Sequence, residues 1–347
     1  MMSWLRRIIY CGITLLVLLG ASIYWCLNSV GFTQKTLPRL INSFQTNWKI
    51  VNLTAGRQQF DWRGIFQVDN LSCELNSEGK PYQFSIKSLS AVRRSNNASL
   101  QQRELKDFYI EIKGLEAHLP AGDIQQGEVR GEGVFNREQS LAINGTIRLG
   151  DLTLEGYHWQ NVSCMFLSDK KIFKCDDLEA GFYGGKMNGQ ILLEMKPDFP
   201  YSIKISFRQV DLALLQSTGP TVVSMLQGNI SGTLSLGGQR QSVDSFDLDI
   251  LASEGGKVKA SVLGPLVEHI PAQTQQRQEL NRLVEEDGFL PLEKASGEIK
   301  YDGREQLSGE FHLFSKELNL SINYPVTINI EGGILNLVEQ LQQFSSP

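Results

Sequence analysis

From about Val51 onward the chain repeats one pattern, an apolar residue at every second position, and that period leaves few folds open. It runs through Tyr82/Phe84/Ile86, Phe108/Ile110/Ile112, Leu141/Ile143/Ile147/Leu149, Tyr201/Ile203/Ile205/Phe207, Phe246/Leu248/Ile250, Val258/Ala260/Val262, Phe311/Leu313, Leu318/Leu320/Ile322 and Val326/Ile328/Ile330, with polar residues between the members of each set. Successive side chains of a strand point to opposite faces, so each set predicts a strand with one apolar and one polar face. The fold class that follows is mostly β and antiparallel.

Two stretches break the pattern. Asp211–Leu226 reads as two short helical pieces divided at Gly219–Pro220. In Leu263–Asp287, the segment Gln273–Glu286 is polar apart from Leu280, Leu283 and Val284, which predicts a surface helix lying over the sheet as a cap or lid. No Pro/Ser-rich linker divides the β region, so residues 51–347 read as one elongated domain.

Two hairpins are legible. In GFYGGKMNGQILLE, Gly184 and Gly185 supply the positive φ that primed turns need, which sets Phe182 opposite Met187, Ala180 opposite Gly189 and Leu178 opposite Ile191. Lys186, Asn188 and Gln190 then share the polar face. In VSCMFLSDKKIFKC, a turn at Asp169–Lys170 sets Cys164 opposite Cys175 and Phe166 opposite Phe173, either as a cross-strand disulfide or as two buried thiols. Gly145, Gly189, Gly232 and Gly309 take the apolar phase inside strands. There they mark bulges, or bends that curl a sheet around its apolar face.

The N-terminus sets the compartment. Ile8–Leu27 is free of charge and long enough to cross a bilayer core, and Arg6 and Arg7 precede it, which holds the N-terminus in the cytoplasm and sends the rest outward. Residues 1–30 therefore read as a cytoplasmic tip and a transmembrane signal anchor, in preference to a cleaved signal peptide, whose apolar run is shorter and whose end needs small residues where YWCLNS has bulky ones. Residues 31–50 read as a juxtamembrane amphipathic helix, from Leu37, Leu40, Ile41 and Phe44 at helical spacing. Cys11 and Cys26 fall in the span, leaving Cys73, Cys164 and Cys175 in an oxidising space. A net charge of −5 without any Lys/Arg-rich run argues against a nucleic-acid partner.

Catalytic signatures are missing: the sequence has no nucleophile elbow, phosphate loop, HExxH or dinucleotide fingerprint. The acidic pairs Asp176–Asp177 and Glu285–Glu286 read as solvated charge in preference to acid/base or cation-binding groups. Four His without ligand spacing give no metal site.

The stretches FRQVDLALLQ, LQGNISGTLSLGGQ and FDLDILASEGGKVKA resemble a passage that recurs in the AsmA-like family, envelope proteins with a repeating β-groove related to AsmA and TamB. LEAGFYGGKMNGQILLE is similar to the segment that precedes it there, and ASGEIKYDGREQLSGEFHLFSKELNL is a weaker match. The resemblance is clearest over Val162–Val262. It implies an N-terminal transmembrane helix followed by an elongated, curled antiparallel β-groove with a few short amphipathic helices. It further implies a single-pass inner-membrane protein with its bulk in the periplasm, which binds phospholipid acyl chains and takes part in lipid transport or outer-membrane assembly. It brings neither catalytic residues nor a cofactor.

On that reading the apolar-phase residues Met187, Ile191, Leu193, Ile203, Ile205, Phe207, Leu234, Leu236, Phe246, Leu248 and Ile250 line the groove. About 20 strands at ~4.8 Å would run only ~100 Å, which points to another envelope protein completing a bridge. The competing expectations are a membrane-tethered β-sandwich used for adhesion or assembly without lipid, and an envelope hydrolase.

Overall fold

The computed structural model describes residues 48–329 apart from 55, 57, 62–64, 78, 94–105, 136–140, 155, 170, 216–224, 240–241, 253–254, 268–269, 302 and 304–305. Arg6, Arg7, the span Ile8–Leu27 and residues 31–47 of the expected juxtamembrane helix lie outside the described residues. The last three residues of that expected helix, 48–50, belong instead to a strand. Among the described residues no helix is long and apolar enough to cross a membrane. The described residues are mostly β, with eighteen strands and a few short helices among them. The chain gathers in two units, Met1–Glu179 with Leu193–Lys196, and Ala180–Leu192 with Pro197–Pro347.

In the first unit, β1 (Trp48–Thr54) and β2 (Gln58–Asp61) share one flank of β3 (Ile65–Ser77). From β3 the chain runs back and forth through β4 (Lys80–Arg93), β5 (Lys106–Leu119), β6 (Gly122–Phe135), β7 (Leu141–Leu154) and β8 (Tyr157–Ser168), each antiparallel to the next. The alternation read from sequence becomes a closed interior. Phe108, Ile110 and Ile112 on β5 are only 3%, 2% and 1% exposed, and they cluster with Phe66, Val68, Leu89, Ile143 and Phe166. Sealing an isoleucine so fully contributes about 1.5–3 kcal/mol relative to leaving it in water.

A line of irregular pairing crosses this sheet. Regular pairs stop at Asn70/Lys87, resume, and stop again at Lys87/Gly114, around Gln126, and at Gly150/Asn161 on the following strands. Asn70, Gln126 and Asn161 have φ of 53°, 53° and 51°, Gly114 has 60°, and Asp177 on β9 (Ile172–Phe182) has 49°. These are left-handed values, which Asn, Asp and Gly adopt most readily. At Gly114 a Cβ would also stand 2.7 Å from Cβ of Lys87, so the close approach at the crease needs glycine.

The second unit begins with the end of β9 and β10 (Gly185–Glu194). The turn between them corrects the expected one: its central residues are Tyr183 and Gly184, at φ 44° and 77°, and Gly185 already belongs to the strand. A primed turn needs two left-handed residues, and Gly185 cannot move into it without disturbing its packing on the Arg208 carbonyl. Moving the turn by one residue moves every cross-strand partner by two, so the faces survive. Met187 and Ile191 are half-buried while Lys186, Asn188 and Gln190 are exposed.

Next come β11 (Tyr201–Asp211), a single helical turn α1 (Leu212–Leu215), β12 (Leu226–Gln239) and β13 (Ser242–Ala252). The Asp211 carboxylate accepts from Ala213 N–H at 2.8 Å and starts α1; the expected second helical piece lies mostly in 216–224, outside the described residues. β13 pairs directly with β16 (Lys294–Tyr301), which is followed by β17 (Gln306–Ser315) and β18 (Leu320–Asn329).

The segment between β13 and β16 builds a cap. The expected strand Val258/Ala260/Val262 is half right. β14 (Gly256–Lys259) pairs with β15 (Phe289–Leu292), but Ala260–Leu263 winds into a 3₁₀ turn that buries Ala260 and Leu263 and leaves Val262 exposed. After α2 (Gly264–Val267), helix α3 (Gln275–Glu285) starts at Thr274, whose hydroxyl accepts from Arg277 N–H. Its Leu280 is wholly buried, with Leu283 and Val284 beside it, against Val258, Ala260, Leu263 and Leu290. The polar helix expected as a cap does cover a core.

Candidate functional site

The groove residues expected from sequence meet on one face of the second unit, and strand pairing puts them in rows. One row is Ile203–Leu236–Phe246–Tyr301–Leu307, the next is Ile205–Leu234–Leu248–Ile299–Gly309, and the third is Phe207–Gly232–Ile250–Gly297–Phe311. Each dash is a direct cross-strand pair, so the rows run at right angles to β11, β12, β13, β16 and β17. Gly189 on β10 lies against Ile205, which brings Met187 and Ile191 to the near side of the same face. Leu193 does not join it: it is buried and groups with the first unit.

Both ends of the face along the strand direction are closed. At one end Ala295, Leu313 and Ile322 pack on the capped core of α3, β14 and β15. At the other, Tyr201 reaches across Gly238 and its hydroxyl donates to the Ser242 carbonyl at 2.8 Å. Burial, with the carboxylate of Asp244 as the smaller cause, pushes the Tyr201 phenol above its ordinary value, so it stays a neutral donor. The glycines in the rows make room for rings. A Cβ on Gly232 would stand 2.7 Å from the Phe207 ring, and one on Gly297 would stand 2.5 Å from the Phe311 ring. Both rings therefore lie flat across a neighbouring strand.

Between its closed ends the face is not sealed. Ile203, Tyr301 and Leu307 are buried, but Ile205, Phe207, Leu234, Leu248, Ile250 and Ile299 are each only half-buried. None of these belongs to the buried clusters of either unit.

The reverse face carries charge. Asp249 stands opposite Glu298, and Glu298 opposite Glu310, with Asp247 next along β13. Ligand oxygens of Asp247, Asp249 and Glu298 lie within 4.8 Å of one another, but Lys300 is ion-paired to Glu298 and the Thr233 hydroxyl donates to Asp249 at 3.2 Å. Sequence reading missed this trio because only strand pairing brings Glu298 to β13. The acidic pairs it did consider are surface groups: Asp176 is ion-paired to Lys174 at 2.7 Å, and Glu285 and Glu286 are exposed at the end of α3. His118 with Asp123 and His158 with Asp151 are solvent-accessible pairs at 2.8 and 3.2 Å.

The cysteine hairpin is present in the first unit, but Asp169 is paired with Ile172, so its turn lies one residue further along than the expected Asp169–Lys170; the partners move by two, and Cys164 and Cys175 stay on one face as diagonal neighbours. Asp169 N–H donates to the Ile172 carbonyl at 2.9 Å, and the Asp169 carboxylate accepts from the N–H groups of Lys171 and Ile172 at 2.6 and 2.8 Å, which closes the β8–β9 turn. Phe166 and Phe173 stack with ring centroids 6.4 Å apart, and the buried Cys164 and Cys175 thiols hydrogen-bond to each other. No family model matches the chain, and no curated protein or solved structure does.

Proposed function

We propose that the chain is an AsmA-like envelope protein, anchored in the inner membrane by Ile8–Leu27, that holds phospholipid acyl chains on the apolar face of its second unit and takes part in lipid transport or outer-membrane homeostasis. The observation that carries this reading is the set of three apolar rows closed at both ends, with Ile205, Phe207, Leu234, Leu248, Ile250 and Ile299 only half-buried between them. An apolar patch of this kind on a folded protein marks a binding surface.

The dimensions suit hydrocarbon. Alternate residues of a strand are about 6.7 Å apart, so three rows leave two parallel furrows, each wide enough for one methylene chain. The four steps from β11 to β17 span about 19 Å, longer than the ~15 Å that one acyl chain takes in its half of a ~30 Å bilayer core. The Phe207 and Phe311 rings lie over Gly232 and Gly297, which keeps the third row low and apolar. Partners on this reading are phospholipid, the inner membrane and another envelope protein. A tethered assembly module without lipid is the second reading, and the sealed interior of the first unit favours it for that unit.

The test is a photo-crosslinking residue placed singly at Ile205, Leu234 or Leu248, and at the reverse-face positions Lys204 and Ser235. The apolar positions should capture phospholipid from the native membrane while the polar ones capture none. Equal capture on both faces, or none on either, would overturn the reading.

A further inference from the structure

We propose that Cys164 and Cys175 are a modification site: the two thiols close into a structural disulfide that ties β8 to β9 in the first unit. The geometry carries it. The two residues sit on one face of adjacent strands in a hairpin whose turn is fixed by Asp169, and beside them the Phe166 and Phe173 rings stack with centroids 6.4 Å apart. Both sulfurs are buried, and each is the other's hydrogen-bond partner. Cys73 has no such neighbour among the described cysteines, and burial, helped by Glu74, pushes its thiol up to about 11.

The pair is also asymmetric in a way that suits the reaction. The Cys175 thiol donates to the Cys164 sulfur, which holds Cys164 below the ordinary thiol range, while the same bond and burial push Cys175 up. The nucleophile is a thiolate of the pair, taken as that of Cys164. Its thiolate displaces one sulfur of an acceptor disulfide, either a small disulfide or that of an oxidase, and a mixed disulfide forms. The departing acceptor thiolate takes up the proton that Cys164 lost. Cys175 then loses its proton and attacks the Cys164 sulfur, releasing the second acceptor thiol. Two electrons and two protons pass to the acceptor, and one S–S bond remains in the chain.

Burial sets the timing. Cys164 and Cys175 are 8% and 4% exposed, so an acceptor reaches them while the hairpin is formed but the surrounding interior is still open. Once sealed, the bond is shielded from reductants. In cells the proposal rests on the outward location of the second and first units, because a cytoplasmic chain would keep both thiols reduced.

The experiment separates the two ideas. Cells producing the full chain are quenched in acid, free thiols are alkylated, and non-reduced peptides are mapped by mass. In parallel, the purified reduced chain is refolded with oxidised glutathione as the acceptor. The proposal expects a Cys164–Cys175 linked peptide in both arms, with Cys73 alkylated, and a melting midpoint of the oxidised chain higher by roughly 5–10 °C than that of the C164S/C175S variant. A link in the glutathione arm alone supports the pair and tells against export. If glutathione leaves both thiols free, or adds to them only as mixed disulfides, the proposal fails whatever the location of the chain.

Discussion

The two units start from the same alternation and end in opposite states. In the first, Phe108, Ile110 and Ile112 along β5 are sealed to 3% exposure or less. In the second, Ile205, Phe207, Leu234, Leu248 and Ile250 on β11, β12 and β13 are only half-buried, while the cap holds Leu280, Ala260 and Leu290 at 0%, 0% and 1% exposed. A period of two specifies which side chains share a face; it does not specify what lies over that face. The second unit places its structural core beside its sheet, in α3, β14 and β15, and this releases the sheet face from the work of holding the unit together.

That contrast can be broken by substitution. Its largest expected effect is Ile112→Asp, which puts an unpaired charge in the sealed interior and should cost at least about 4 kcal/mol, enough to unfold the first unit in urea titration followed by near-ultraviolet circular dichroism. A loss below about 1 kcal/mol would show that the interior is not closed. Leu280→Ala empties a fully buried site in the cap and should cost about 2–5 kcal/mol in the same titration, on the transition of the second unit. Thr274→Ala removes the hydroxyl that caps α3 and should cost about 1 kcal/mol.

The smallest effect sharpens the comparison most. Ile205→Glu stands in the middle row of the open face, opposite Leu234, and should cost less than about 1 kcal/mol, the scale of one cross-strand pair, because the carboxylate keeps its water. It should nevertheless abolish lipid capture at Leu234. If Ile205→Glu destabilises the chain as much as Ile112→Asp, the two units are alike and the face is a core.

Much of this was legible in the sequence. The faces of nearly every strand follow from the alternation, and the pairings Ile205/Leu234 and Leu234/Leu248 put on one face the residues assigned to it. The shared face of Phe166 and Phe173 was also legible, although the turn lies one residue beyond Asp169–Lys170 because the Asp169 carboxylate binds the N–H groups of Lys171 and Ile172. What was missed has physical reasons. Gly184–Gly185 is the better turn dipeptide by conformational preference alone, yet Tyr183 takes the left-handed position and Gly185 the tight approach to Arg208. Ala260 and Val262 keep the period of a strand, but the 3₁₀ turn turns Ala260 into the cap core. Leu193 shares the phase of Ile191 and still groups elsewhere, because β10 passes from one unit to the other. The acidic trio required knowing that β13 skips the cap to pair with β16.

The crease of the first unit bears on how such a chain finds its native alignment. A meander of alternating residues is nearly degenerate: sliding one strand past its neighbour by two positions keeps every greasy side chain on the greasy face and costs little. Asn70, Gly114, Gln126 and Asn161 remove that degeneracy, since their left-handed backbone can be accommodated only against the matching gap on the next strand. Each acts as a notch on a ruler. A strand displaced by two residues would press regular backbone onto a notch and leave the true notch facing a regular pair. Misalignment is then penalised locally, strand by strand, before the interior has closed over it.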